Sequence, residues 1–375
     1  MVNIEHLEVY LDAQHVGTLA LYKKTLAAFE YTSDWINRGF SVSPFSLPLK
    51  SGVYVPKFDP FNGLFGIFYD SLPDGWGRLL VDRMMLREHI NPASVNVLER
   101  LSFIGLSGMG ALEYHPVQNW SNPEEKSNYD YIAEECRKIL ASVEPDDLDT
   151  IYKMGGSSGG ARPKILIRLD GDDWIVKFPS SYDSNEIGQM EYDYSLCAQR
   201  CGIRISEVRL LESKNCSGYF ATKRFDRKRD EEGNVKKVHM ASVSALLETS
   251  HRVPALDYNS LMALTWQLTK NYTEMEKLFR QMCFNVFSHN RDDHSKNFTY
   301  VYDNGSWNLS PAYDLTYSNS VGGEHATTIN GNGKDPGIPD IMSVAARAGL
   351  EKKRTKEIAE EIQCIVNEDL GKYLQ

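Results

Sequence analysis

The run Ser288-His289-Asn290-Arg291-Asp292-Asp293-His294-Ser295-Lys296-Asn297 sets a carboxylate at 292 and a carboxamide at 297, with four residues between them. A second carboxylate, Asp314, follows in Leu309-Ser310-Pro311-Ala312-Tyr313-Asp314-Leu315. A carboxylate within reach of a hydroxyl can orient it and accept its proton. An amide oxygen and a carboxylate are the hard ligands that Mg²⁺ takes while it keeps waters and draws other oxygens from phosphates. Two Asp and one Asn meet often by chance, so the weight of this spacing depends on the residues around it.

The approach to the run is helical. Thr273-Glu274-Met275-Glu276 reads as a capping box, with Thr273 as cap and Glu276 reaching back. Leu278, Phe279, Met282, Cys283, Val286 and Phe287 then recur at helical spacing, which predicts a buried core helix. Residues 290–297 are therefore expected as a loop at its C-terminus. Beyond them, Phe298–Tyr302 alternates as a strand, Asp303-Asn304-Gly305 turns, and Trp307–Leu309 returns. That hairpin is expected to bring Asp314 back beside Asn297. His289 and His294 suggest zinc, but the neighbouring ligands are oxygens and no Cys is close.

Upstream stands a glycine-rich loop, Met154-Gly155-Gly156-Ser157-Ser158-Gly159-Gly160-Ala161-Arg162-Pro163-Lys164. Its glycines let the backbone approach a ligand and turn N–H groups inward, an arrangement that suits phosphate. Ile165–Leu169 and Trp174–Phe178 read as strands joined by an Asp170-Gly171 turn. Lys177, among apolar neighbours, needs an anionic partner. A nucleotide phosphate is one candidate, and Glu191 on a helix over about 189–201 is the other; an edge-strand Lys that snorkels to solvent is the bland alternative. A strand Lys with a helix Glu after a glycine loop is the ion pair of protein kinases. Gly155-Gly156-Ser157-Ser158-Gly159 also fits a serine-hydrolase elbow, yet that motif demands a helix after it, and here Ile165–Leu169 supplies a strand.

Tyr219–Ala221 reads as a strand that passes into a charged loop, Lys228–Lys237. Such a crossing is where adenine meets backbone groups. Otherwise Lys223, Arg224, Arg227, Lys228 and Arg229 form a solvated loop, offset by Asp226, Asp230, Glu231 and Glu232.

The first third looks like a separate module. Leu7–Leu11 and Gly17–Ala20 read as strands around a turn at 12–16, and Leu79–Glu88 as a helix. Ser41–Leu49 is too rich in Pro for a central strand. Ser71-Leu72-Pro73-Asp74 precedes the helix, and no nucleophile–base pair stands out. Gly105-Leu106-Ser107-Gly108-Met109-Gly110 runs into Leu112 without a helix, so it reads as a packing turn. Polar residues from Asn119 to Tyr129 make the expected linker; a short helix near 131–140 and a break at Pro145-Asp146-Asp147 follow.

With 375 residues the chain can bury two or three cores, and 42% hydrophobic with 25% charged residues is ordinary for a globular protein. A net charge of -10 argues against a large direct nucleic-acid surface. No apolar run reaches a membrane span, and Met1-Val2-Asn3-Ile4-Glu5 opens no signal peptide. Six Cys without framework spacing read as free thiols, so the expected location is the cytoplasm.

Taken together, these residues resemble the HipA family of bacterial serine/threonine kinases, the toxins of HipBA-type pairs. The motifs are Ser71–Asp74, Ser157–Lys164, Lys177, Lys223-Arg224-Phe225-Asp226-Arg227, Asp292–Asn297 and Pro311–Asp314, in order over most of the chain. The resemblance implies an α+β, two-lobed protein-kinase-like fold with an extra N-terminal subdomain. The division would be 1–118 for the subdomain, 119–226 for the N-lobe and 227–375 for the helical C-lobe. It implies Asp292 as catalytic base and Asn297 and Asp314 as Mg²⁺ ligands. ATP would be bound by Gly159, Gly160, Ala161, Arg162, Pro163, Lys164 and Lys177. Lys223, Arg224 and Phe225 would meet adenine, and His294, Ser295, Lys296, Asn297, Tyr313 and Asp314 would also lie along the nucleotide. Ser157, or its neighbour Ser158, aligns with a serine whose autophosphorylation switches the family's kinases off. Expected partners are a HipB-like helix-turn-helix antitoxin, through which DNA is contacted, and a protein substrate such as an aminoacyl-tRNA synthetase. Asp314-Leu315-Thr316 departs from Asp-Phe-Gly, and His294 stands where protein kinases carry Lys. Two rivals remain: a small-molecule kinase of the aminoglycoside-phosphotransferase type, and a non-catalytic scaffold.

Overall fold

The structure, a computed structural model, describes residues 4–118 and 128–374, so the expected linker lies almost wholly outside the described residues. The chain forms two compact units. The first comprises Met1–Gly188, Leu210–Ala241 and Ala245–Glu248; the second comprises Gln189–Arg209, Ser242–Ser244 and Thr249–Gln375.

The first unit opens with β1 (His6–Leu11), β2 (Gln14–Tyr22) and β3 (Leu26–Tyr31). Leu7 and Val9 of β1 and Leu19 of β2 point to one face and are fully buried, as strict alternation requires. β4 (Val53–Tyr54) and β5 (Leu112–His115) complete an antiparallel sheet of order β4-β3-β2-β1-β5. The turn between β1 and β2 is only Asp12-Ala13, both at positive φ, so β2 starts earlier than alternation suggested.

The helices α1 (Ser33–Arg38), α2 (Gly66–Tyr69), α3 (Gly75–Arg87) and α4 (Val97–Ile104) belong to the same region. α4 escaped the sequence reading, although Asn96 and Glu99 form a full capping box. α5 (Tyr129–Leu140) and α6 (Leu148–Gly155) follow. α6, capped by Asp147, runs directly into the glycine loop, so that loop joins a helix to a strand.

β6 (Lys164–Leu169) and β7 (Asp172–Lys177) form the expected hairpin, with Asp170 and Gly171 both at positive φ as its two-residue turn demands. α7 (Ile187–Arg200), β8 (Val208–Leu211) and β9 (Tyr219–Lys223) come next, and the sheet order is β6-β7-β9-β8. One core unites this region: Trp76, Leu80 and Met84 of α3 pack with Ile132 and Ile139 of α5, Ile151 of α6, Ile165 of β6 and Trp174 and Val176 of β7. The charged stretch 227–237 is an ordered hairpin, β10 (Arg227–Arg229) with β11 (Val235–Lys237), and not the open loop its composition suggested. β12 (His239–Ser242) and α8 (Val243–Leu246) follow.

The second unit is mainly helical. β13 (Leu256–Asp257) leads into α9 (Tyr258–Thr269) and α10 (Tyr272–Phe287). Asn271 caps α10 by accepting from the Thr273 N–H, which corrects the expected Thr273 cap; Glu276 instead pairs with Arg354 and Arg280. α10 is buried through Leu278, Phe279, Met282, Cys283 and Val286, as its spacing predicted. β14 (Thr299–Asp303) and β15 (Ser306–Leu309) form the anticipated hairpin. β16 (Thr327–Thr328) pairs in parallel with β13, and α11 (Ile338–Arg347) and α12 (Lys352–Leu370) close the unit. Among the described residues no helix is long and apolar enough to cross a membrane.

Candidate active site

The loop after α10 is fixed from below. The Ser288 carbonyl accepts from the Tyr194 hydroxyl at 2.8 Å, and Asn290 bonds back to Asn285 through backbone and side chain, each at 3.0 Å. The two adjacent aspartates then part. Asp293 is fully buried, while the Asp292 side chain is 60% exposed. Asp293 Oδ2 accepts from the Tyr258 hydroxyl and faces His325 Nδ1, each at 3.0 Å; its Oδ1 accepts from the Thr327 N–H at 3.1 Å. The Thr327 hydroxyl donates to the Asp293 carbonyl at 2.6 Å. Burial, then the Asp293 charge, pushes the Tyr258 hydroxyl well above its usual range, so it remains a donor. A buried carboxylate needs such compensation. Asp293 is thus an anchor, and the backbone it fixes presents Asp292 to solvent.

Asn297 closes the loop. Its Nδ2 donates to the Asp292 carbonyl at 2.7 Å, and its N–H bonds to the His294 carbonyl at 2.9 Å. With Nδ2 so engaged, Oδ1 is the atom left to accept, which fits a hard cation. The Tyr313 hydroxyl meets the Lys296 carbonyl at 2.5 Å and Thr299 Oγ1 at 2.6 Å, so the segment carrying Asp314 is tied to the loop carrying Asn297. Asp314 itself sits at φ 53, a left-handed conformation uncommon outside glycine and associated with functional sites. His294 Nδ1 accepts from the Lys296 N–H at 3.2 Å, and its Nε2 lies 3.8 Å from Asp292 Oδ1. Ser295 is buried beneath.

The glycine loop belongs to the first unit and is held by a residue of the Ser71–Asp74 motif to which the sequence assigned no role. Asp74, at the N-cap of α3, turns its side chain away from its own helix and accepts from the Gly160 N–H. The Trp76 N–H bonds to the Gly160 carbonyl at 2.9 Å, and its indole N–H to the Lys164 carbonyl at 3.0 Å. α3 approaches so closely that a Cβ on Gly75 would lie 2.8 Å from Ala161 Cα. Gly75 is also at φ 44, so both space and conformation favour glycine there. The Pro73-Asp74-Gly75 turn signal was present, but its partner lies 86 residues away.

Within the loop, Ser158 is buried and its hydroxyl donates to the Gly155 carbonyl at 2.6 Å; Ser157 is buried too, and its hydroxyl makes no hydrogen bond among the described residues. Lys164 Nζ bonds to the Gly159 carbonyl, and Arg162 forks onto Asp183 at 3.1 and 3.0 Å. Lys177 pairs in register with Lys164 and lies 5.6 Å over the Phe220 ring. Glu191, on α7, is buried in the second unit.

Lys223 pairs with Asp172 at 2.5 Å, and the Arg224 N–H bonds to the Asp173 carbonyl. Arg224 is not in a solvated loop. It and Arg227 clasp the fully buried Asp226, which also accepts from the Gly110 N–H at 2.7 Å, and both guanidiniums reach the Gly108 carbonyl. Burial opposes the Asp226 charge, but Arg224, Arg227 and the Gly110 N–H together outweigh it and hold the carboxyl at about 2. The Gly105–Gly110 stretch is therefore the packing turn that was expected, and it anchors this triad.

Two family models match the chain: the HipA N-terminal domain over residues 7–115 and the HipA-like C-terminal domain over 156–369. The curated Sinorhizobium fredii protein Y4mE, which is named for a kinase, is 28% identical over 353 residues, covering 84% of this chain and 77% of its own. A solved Shewanella oneidensis structure, the HipA–HipB toxin–antitoxin system with its operator DNA, superposes with a TM-score of 0.70 at 18% identity, over 98% of this chain and 90% of the other. That likeness supports the kinase-like α+β fold. On its domain models, matched over more than half its length, the chain belongs to the HipA family.

Proposed function

We propose that this HipA-family chain is an ATP-dependent protein serine/threonine kinase. The observation that carries the reading is the split of Asp292 from Asp293: a solvent-facing carboxylate on a backbone pinned by a buried one. Asp292 orients the acceptor hydroxyl and takes its proton. Asn297 and Asp314 supply oxygens for Mg²⁺, which when bound offsets phosphate charge. The loop Gly159 to Lys164, through those backbone N–H groups that remain once Gly160's is given to Asp74 and Pro163 has none, receives the ATP phosphates together with Lys164 and Lys177, and Glu191 is the partner assigned to Lys177. Lys223 to Phe225 lie along adenine. The Arg224 side chain is already spent on Asp226, so its backbone carbonyl is what it offers. His294 to Lys296 and Tyr313 complete the nucleotide surround.

Ser157 is the proposed autophosphorylation site. Its hydroxyl is the uncommitted one of the pair, and a phosphate of ~1.5 to 2 negative charges would compete with ATP for the loop. The proposed protein substrate is an aminoacyl-tRNA synthetase or another translation component, in the cytoplasm. A HipB-like antitoxin is the proposed partner, consistent with the HipA–HipB–DNA complex of the Shewanella relative. With a net charge of -10, DNA would be reached through that partner.

Phosphosite mass spectrometry after expression tests this. Phosphate on Ser157 and on host proteins is expected, absent in the Asp292→Asn variant. Phosphate found only on small hydroxyl compounds would point to the aminoglycoside-kinase type of reaction, and no ATP turnover with Mg²⁺ would point to a scaffold.

A further inference from the structure

A cavity of about 460 Å³ lies in the first unit, among the turn after β2, α3 and the start of α4, and none of the residues assigned to ATP lines it. Its size is that of a small-molecule site. Lys24, Arg78 and Arg100 line it, and among the described lining residues there is no Asp or Glu.

The cations are not equally committed. Arg100 is spent: Nη1 pairs with Asp82 at 2.9 Å and Nη2 donates to the Pro92 carbonyl at 2.7 Å. Arg78 approaches the same Asp82 only through Nε at 3.5 Å, longer than an ordinary hydrogen bond, and has no other polar contact among the described residues. Lys24 has no ion pair or hydrogen bond among them. One carboxylate behind the wall thus serves two guanidiniums, and two positive charges are left for an occupant. The remaining wall mixes apolar residues such as Leu72 and Val81 with the neutral polar Thr25, Asn62, Tyr69 and Asn96, and Phe58 stands 52% exposed at it, an aromatic that the core does not use.

We propose that this cavity binds a phosphate monoester carried on a flat, apolar body. Such a ligand brings two negative charges to match Lys24 and the Arg78 fork, and a face for Phe58. A monocarboxylate would leave one cation unmatched. The site stands whether or not the chain transfers phosphate.

Isothermal titration of the full chain with 1-naphthyl phosphate tests it. Saturable one-to-one binding is expected, at least roughly tenfold tighter than 1-naphthol or inorganic phosphate. The Lys24→Glu, Arg78→Glu double variant should weaken it by a similar factor, while Lys177→Ala leaves it intact. Both substituted side chains are exposed; if the double variant fails to melt like the parent, Lys24→Ser alone carries the comparison and should weaken binding. Absence of saturable binding, equal binding of 1-naphthol, indifference to the charge changes, or loss in Lys177→Ala would each overturn the assignment.

Discussion

Asp292 and Asp293 are chemically identical neighbours, and no pattern in the sequence distinguishes them beyond the count to Asn297. The fold separates them by burial. Asp293→Ala would strand the Tyr258 hydroxyl, the Thr327 N–H and His325 in a dry site. It should lower unfolding free energy by about 3 kcal/mol. Asp292→Ala removes an exposed side chain and should change stability by no more than about 0.5 kcal/mol. Denaturant unfolding of the two variants checks the pair; similar losses would mean that Asp292 also has a structural role. His325, Tyr258 and Thr327 were not legible as members of this site. They reach it from elsewhere in the chain, and a lone His or Tyr in a sequence carries no sign of the carboxylate it will meet.

Length made α3, α5 and α10 readable, and alternation the two hairpins, because a buried face repeated over three turns or more leaves its mark in the sequence. Short elements were lost. α4 and α6 are eight residues each, and their evidence was in the caps, Asn96 with Glu99 and Asp147 with Thr150. At α10 the cap was placed two residues late, since Thr273 and Asn271 both carry a capping oxygen and only geometry decides. The difference is measurable. Asn271→Ala should cost about 1 kcal/mol and Thr273→Ala a few tenths, by chemical denaturation. The reverse order would restore the Thr273 cap. The hairpin at 227–237 was missed for a related reason: its charges look solvated, and the Asp226 triad that orders its first strand depends on Gly108 and Gly110, more than a hundred residues away.

At the scale of the molecule, the candidate nucleotide residues were legible as local motifs, but the support for the glycine loop was not, because Asp74 and Trp76 come to it across a long stretch of chain. The first unit also carries a built-in acid sensitivity. His239 is buried, its Nε2 hydrogen-bonded to the Val42 carbonyl at 2.8 Å, and desolvation lowers its folded pKa to about 4 from 6.5. Below 6.5 the unfolded chain takes a proton that the folded one refuses until about 4, so stability falls as pH drops through that window. The loss should approach about 3 kcal/mol. His239→Gln, which keeps a donor for Val42, should flatten that part of the pH–stability curve; an unchanged slope would place the sensitivity elsewhere. Asp226 acts lower, its contribution present above 3.8 and lost toward about 2. The central claim is that Asp292 is the base of a phosphoryl transfer, and it is tested most directly by following radiolabelled γ-phosphate from Mg·ATP into protein. The parent should incorporate label, and Asp292→Asn should lose at least about 10²-fold in rate while still binding ATP. Undiminished incorporation by Asp292→Asn would contradict it.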